Sequence, residues 1–198
     1  MDKYKMRLEF TEPMLGATPK DPDVYAAHIA TRAALDDEAL AEELASVENM
    51  EEKGWTGFHT VDGQPILYDY VIKGFCKDVC GMLRRVTGTK SSKVTAYRKI
   101  IDGLVFAKPR QIVIHLPDGQ ELGTLERPLR AQTAKGERVA LARSDTAPAG
   151  SWIEFNLLVM GAVPKTLLKE WFDYGALRGL GQWRNAGYGT FTYEMAKQ

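Results

Sequence analysis

The sequence predicts an α+β fold in which helices cover one face of an antiparallel sheet. Three observations carry this. Apolar residues alternate with polar ones in residues 4–11 and 151–159, the period of a strand with one buried face. Apolar residues recur at helical spacing in 71–86 and again after Pro164. The order along the chain is strand, helix, several strands, helix, strand, with no internal repeat. At 198 residues, 44% hydrophobic and 26% charged, the chain reads as one domain with a sizeable core, carrying an insertion.

In the first strand Met6, Leu8 and Phe10 alternate with Lys5, Arg7 and Glu9, and Glu12-Pro13-Met14-Leu15-Gly16 ends it. Asp21-Pro22 then supplies a helix N-cap and a proline at the first helical position. An alanine-rich, acidic helix is expected over 23–47, broken near Leu35-Asp36-Asp37. Residues 49–64 are polar and lack periodicity, so 19–62 reads as an acidic helical insertion or lid. A β-prone run at 66–70 leads into a helix at 71–86. Ile72, Phe75, Cys76, Val79, Cys80 and Leu83 form its apolar stripe, with Lys73, Lys77, Arg84 and Arg85 on the other face. The segment 88–93, containing Lys90 and Lys93, reads as a basic, flexible loop. It lacks the G-x-x-x-x-G-K-[ST] spacing of a nucleoside-triphosphate site.

Strands are expected at 103–106 and 111–116, the second turning at Pro117-Asp118-Gly119-Gln120 into a partner near 121–125. A basic stretch from 127 to 143 follows, with Arg127, Arg130, Lys135, Arg138 and Arg143. Strands at 138–142 and 151–159 flank the link 144–150, and Ile153, Phe155, Leu157 and Val159 share one buried face. Pro164 opens the last helix, striped by Leu167, Leu168, Trp171, Phe172 and Ala176, and residues 190–195 form the final strand.

Between that helix and strand, five glycines fall within residues 175–189, interleaved with Arg178, Arg184, Trp183, Tyr174 and Tyr188. Glycine lets backbone N–H groups approach a ligand, arginine pairs with phosphate, and aromatic rings stack on bases. A nucleic-acid backbone clamp is one reading of this loop. A corner whose glycines serve tight packing is the other. Charge is also polarised: residues 1–70 hold 6 Lys/Arg against 15 Asp/Glu, and residues 71–198 hold 20 against 11, although the whole chain is neutral. That suits a basic face for a polyanion, or halves that neutralise each other. No apolar run approaches the roughly 20 residues that cross a bilayer, and no signal-peptide core opens the sequence, so a cytoplasmic location is expected. Cys76 and Cys80 stand four apart on one helix, as reduced packing residues rather than half of a zinc site. No metal or cofactor is expected.

Three segments in this order resemble the RAMP superfamily, the repeat-associated proteins that form backbone and processing subunits of CRISPR ribonucleoprotein complexes. They are Ile72-Lys73-Gly74-Phe75-Cys76-Lys77 after Pro65-Ile66-Leu67-Tyr68, the pair 138–143 and 148–155 with its Pro148–Gly150 approach, and the glycine-rich loop 179–191. With 4–11 as first strand, the resemblance spans most of the chain apart from 19–62. It implies a ferredoxin-like, RRM-type sheet that binds single-stranded RNA by shape and backbone. It implies that Lys73 and Lys77 hold phosphates at the start of the first helix. It further implies that Gly179, Gly181, Gly187 and Gly189 track the strand, that Arg178 and Arg184 pair with it, and that Trp183 or Tyr188 stacks on a base, with core packing the alternative for Trp183. Arg84, Arg85, Lys90, Lys93, Arg127, Arg130 and Arg138 extend the expected basic groove.

The leading expectation is therefore a non-catalytic RNA-binding protein, either stand-alone and phage-related or repeating head-to-tail within a ribonucleoprotein beside other subunits. Other nucleic acids are possible ligands. A metal-independent endoribonuclease of the same fold is the alternative, and would draw on His28, His59 or Asp21, since general acid–base work needs a group titrating near neutrality. Asp21 is explained equally by capping, and His115 by its strand position. A protein-interaction module or inhibitor built on the fold is the third reading.

Overall fold

The computed structural model describes residues 1–21, 54–133 and 136–198. The helix expected over 23–47, His28 and Lys135 lie outside the described residues. Strand β1 (Asp2–Phe10) buries Tyr4, Met6, Leu8 and Phe10 and turns Lys3, Lys5, Arg7 and Glu9 outward. It pairs antiparallel with β11 (Trp152–Val159), in the register Met6↔Phe155 and Leu8↔Ile153, so the two apolar faces coincide. Strand β12 (Phe191–Lys197) closes on its other side, and β7 (Val105–Lys108) pairs with β11, giving the order β12-β1-β11-β7.

Helix α1 (Asp69–Leu83) connects toward β7, and α3 (Lys165–Arg178) connects β11 to β12. The result is a βαββαβ, ferredoxin-like α+β unit with all four strands antiparallel. Ile72, Phe75, Cys76, Val79 and Cys80 of α1 and Leu167, Leu168, Trp171 and Phe172 of α3 share one core with the inward strand residues. Both helices therefore lie on the same face of the sheet. Within α3, Gly175 sits beneath the Phe75 ring, where any Cβ would overlap Cζ of that ring. The two cysteines are free and buried, and burial, reinforced by Cys80, pushes the Cys76 thiol up to about 12. Strands β8 (Gln111–His115), β6 (Gln64–Tyr68) and β5 (His59–Val61) extend the sheet beyond β11.

A second sheet stands beside this unit. The hairpin of β9 (Gly123–Thr133) and β10 (Gly136–Ala147) has arms of 11 and 12 residues, about 35 Å at the usual strand rise. At its foot, β10 also pairs with β4 (Trp55–Gly57) and β2 (Met14–Leu15), and β3 (Thr18–Pro19) pairs with β4.

Several expectations need correction. Residues 55–57 and 59–61 are strands, and the pairing Pro19↔Thr56 joins the two ends of the insertion into one sheet. Helix α2 (Tyr97–Leu104) contains Gly103, so the strand expected from 103 begins at Val105. The 117–120 turn forms, with the Gln120 amide donating to the Pro117 carbonyl, but Leu125 pairs with Ser144 instead of folding back on β8. The 88–93 loop is pinned. The Glu170 carboxylate accepts from the Lys90 and Ser91 amides and the Ser91 hydroxyl at 2.6–2.8 Å, and Trp171 Nε1 donates to Ser91 Oγ at 3.0 Å. Burial raises the Glu170 carboxyl, but these hydrogen bonds outweigh it and leave it below the ordinary range.

Candidate nucleic-acid interface

The glycine-rich segment leaves α3 at Gly179, passes through a 3-10 turn at Arg184–Ala186, and enters β12. Gly179, Gly181, Gly187 and Gly189 all have φ between 72° and 91°. For three of them close packing accounts for the glycine as well. A Cβ on Gly179 would lie 2.5 Å from the Tyr188 carbonyl oxygen, one on Gly181 2.5 Å from that of Leu15, and one on Gly189 would overlap the Leu180 carbonyl. At Gly187 no described atom lies within 4 Å of that position. The loop is also sewn to its surroundings. The Leu180 amide donates to the Gly189 carbonyl at 2.9 Å, Gly189 to Pro13 at 2.9 Å and Gln182 to Leu15 at 3.3 Å. Thr56 Oγ1 bonds Ser144 Oγ at 2.7 Å and reaches Gln182 Oε1 at 3.5 Å, tying β4, β10 and the loop together.

The aromatic residues of the loop meet the hairpin. Trp183 adopts φ 51°, a left-handed conformation costing about 1–2 kcal/mol in a residue with a Cβ. The Arg127 guanidinium of β9 lies 4.8 Å over its ring, and Tyr188 meets that ring edge-on at 6.4 Å. Trp183 and Tyr188 are half-buried and Arg127 is exposed. Core packing, the alternative held open for Trp183, does not describe this position.

The two loop arginines are held from below. Arg178 donates Nε to Asp78 Oδ2 at 2.6 Å and Nη2 to Oδ1 at 3.2 Å, while Arg184 donates Nη1 to the same Oδ2 at 2.6 Å. Burial raises the Asp78 carboxyl, but hydrogen bonds from both arginines, and then their charges, outweigh it and hold it below the ordinary carboxylate range. Asp78, on α1, was not singled out in the sequence because its partners lie 100 and 106 residues away.

The other expected contacts are dispersed. Helix α1 begins at Asp69 because β6 runs straight into it, so Lys73 and Lys77 lie in its second and third turns rather than at its start. Both face α2. Lys73 Nζ donates to the Asp102 carbonyl at 3.0 Å and lies 4.6 Å over the Phe106 ring, and Lys77 pairs with the Asp102 carboxylate at 2.7 Å. Arg84 packs 4.9 Å over Tyr97, and Arg84, Arg85 and Lys93 are exposed at the far end of the helix. Lys90 lines a surface cavity of about 360 Å³ with Lys169, Glu170 and Asp173, whose carboxylates disfavour an anion there. Arg130 and Arg138 lie further along the hairpin, opposite Val139 and Ala131.

His59 is buried in β5, edge-on to Tyr68, at the opposite end of the sheet from β12. His115 stacks on Trp152 at 3.8 Å, and Arg7 covers that ring at 3.9 Å, a cross-strand ladder on the outward face. Asp21 marks where the described chain breaks off. Among the described residues no group of three or more His, Cys, Asp or Glu could hold a metal ion, and no helix is long and apolar enough to cross a membrane.

No protein-family model and no curated protein matches the sequence. Solved structures do match in fold. A chain from the type III-B Cmr-beta complex, determined by cryo-electron microscopy with cognate target RNA bound, aligns with a TM-score of 0.50 and 12% identity, covering 99% of this chain. This chain spans 60% of the length of that one. A chain from a type IV-B CRISPR complex aligns with a TM-score of 0.47 and 12% identity over 98% of this chain and 90% of its own. At 12% identity the likeness to the Cmr-beta chain is one of fold.

Proposed function

We propose that this protein is a RAMP-like, single-stranded RNA-binding subunit of a ribonucleoprotein, with 1–198 as one domain, and that RNA runs between the glycine loop and the foot of the β9–β10 hairpin. The observation that carries the proposal is the meeting of Arg127 with Trp183 and Tyr188, which sets a cation and two aromatic rings at a half-exposed loop. Guanidinium and aromatic planes at one place suit a strand whose phosphates and unstacked bases are both accessible. The fold shared with a chain of an RNA-bound complex supports this reading. We place the grip at the loop rather than at the start of α1, because Lys73 and Lys77 lie beyond its first turn and face α2. We also read the protein as a binder rather than a nuclease, since His59 is buried in β5 at the other end of the sheet from the glycine loop.

The test is equilibrium binding of the purified, nuclease-treated full chain to a labelled single-stranded RNA across a salt series. The log–log slope should be about −0.7 per phosphate neutralised. Arg127→Ala and Trp183→Ala should each weaken binding by roughly tenfold, as expected for one stacking or cation contact of 1–3 kcal/mol. Shortened products in the same tubes would replace the binder by an endoribonuclease. Absence of binding at low salt would overturn the proposal in favour of a protein-interaction module.

A further inference from the structure

We infer that Asp78 is a positioning residue that makes one phosphate-binding fork of Arg178 and Arg184. The inference deepens the RNA-binding reading and rests on it for the identity of the ligand.

Two guanidinium groups share a single carboxylate oxygen, Asp78 Oδ2, each at 2.6 Å. Two cations brought this close repel, and the shared anion is what holds them. The cluster keeps a net charge of +1. Of the ten guanidinium N–H donors, three bind Asp78 and Arg178 also reaches Tyr174, which leaves donors on both arginines for another acceptor. Had the arrangement served only to fasten α3 to α1, the bidentate Arg178–Asp78 pair would suffice, and Arg184 adds a second cation to an acid already paired. The cluster is also at the solvent boundary: the side chains of Arg178, Arg184 and Asp78 are 21%, 28% and 28% exposed. Both arginines stand on helical backbone. Arg178 is the last residue of α3, and Arg184 opens a 3-10 turn that ends at Gly187, beside which no described atom crowds. A phosphate carries the acceptor oxygens and the charge that two oriented guanidinium planes recognise, and arginine whose rotamers are already fixed loses little entropy on binding it. The carboxylate stays ionised at neutral pH for the reason given above.

The sign of one substitution separates this from simple electrostatics. Asp78→Asn removes a negative charge beside two arginines, so charge alone would strengthen binding of any anion. Positioning requires the opposite. Two probes are used on the full chain: inorganic tripolyphosphate by calorimetry, and a labelled oligouridylate across a salt series. Asp78→Asn should weaken tripolyphosphate by tenfold or more, the worth of a charge-assisted hydrogen bond, with Asp78→Glu recovering part of it. The oligouridylate salt slope should flatten by about 0.7, the share of the one phosphate contact the fork makes. If the Asn variant does not fold, Asp78→Glu, which keeps the charge but moves the carboxylate, should still bind tripolyphosphate more weakly than the wild type, a loss that charge alone does not predict. Unchanged or tighter binding with an unchanged slope overturns the inference while leaving RNA binding in place. Tripolyphosphate binding that depends on Asp78 in a protein that ignores the oligouridylate keeps the fork and overturns the RNA reading. A wild-type protein that binds neither probe overturns both.

Discussion

Replacing Gly189 by alanine should destabilise the protein far more than replacing Gly187, although both have left-handed backbones, at φ 72° and 90°. At Gly187 the added methyl meets no described atom within 4 Å, so the cost is the backbone conformation alone, about 1 kcal/mol. At Gly189 the methyl would overlap the Leu180 carbonyl oxygen and lie 3.0–3.1 Å from the Leu180 carbonyl carbon and amide nitrogen. Those are backbone atoms and cannot rotate aside. The strands of the loop must separate, stretching the Leu180-to-Gly189 and Gly189-to-Pro13 hydrogen bonds, both 2.9 Å. At about 1 kcal/mol for each bond plus the conformational term, the total is about 3 kcal/mol. For a chain of this size that lowers the melting temperature by roughly 6–12 °C, against roughly 2–4 °C for Gly187→Ala. Thermal unfolding followed by far-ultraviolet circular dichroism, checked by urea titration, measures both. Equal shifts for the two variants would refute the argument that close packing, rather than ligand access, demands glycine at 189.

Two further predictions concern charge. Lys20 and Asp145 pair at 3.0 Å with side chains only 6% and 14% exposed, and Lys20 Nζ also lies 4.5 Å over the Trp55 ring. Lys20→Met should cost about 3 kcal/mol by leaving the largely covered Asp145 without its cation, and adding Asp145→Leu should recover most of it. A neutral single variant in urea denaturation would sink this account. Asp78 and Asp173 both titrate below the ordinary carboxylate range. At Asp173 burial raises the carboxyl, but hydrogen bonds from Lys169 and Tyr193 outweigh it. Because the unfolded chain takes up these protons first as pH falls, their stabilisation is complete above the unfolded value of about 3.9 and is lost as pH drops through the folded values. The stability gap between wild type and Asp78→Asn should therefore be constant from pH 5 to 7 and narrow below about pH 4. A gap that widens in acid would contradict the arginine-paired geometry.

The sequence by itself determined the elements whose own pattern states which side is buried. Alternation in β1 and β11 announced the buried face of each, and Ile72, Phe75, Cys76, Val79 and Cys80 announced the stripe of α1, because periodicity is a property of neighbours in the chain. It also marked residues 175–191 as special and proposed packing and binding as the two explanations. Helix α2 escaped notice because it buries only Ile101 among its eight residues and includes Gly103. Tertiary structure alone decided the rest. It divided the glycines, assigning Gly175 to the Phe75 contact and Gly179, Gly181 and Gly189 to backbone crossings, while Gly187 has open space beside it. It gave Lys73 and Lys77 to Asp102, brought Arg127 to Trp183, and joined Arg178 and Arg184 through Asp78. Charges find partners by distance through space, and the folding that brings residue 78 beside residue 178 leaves no local pattern along the chain.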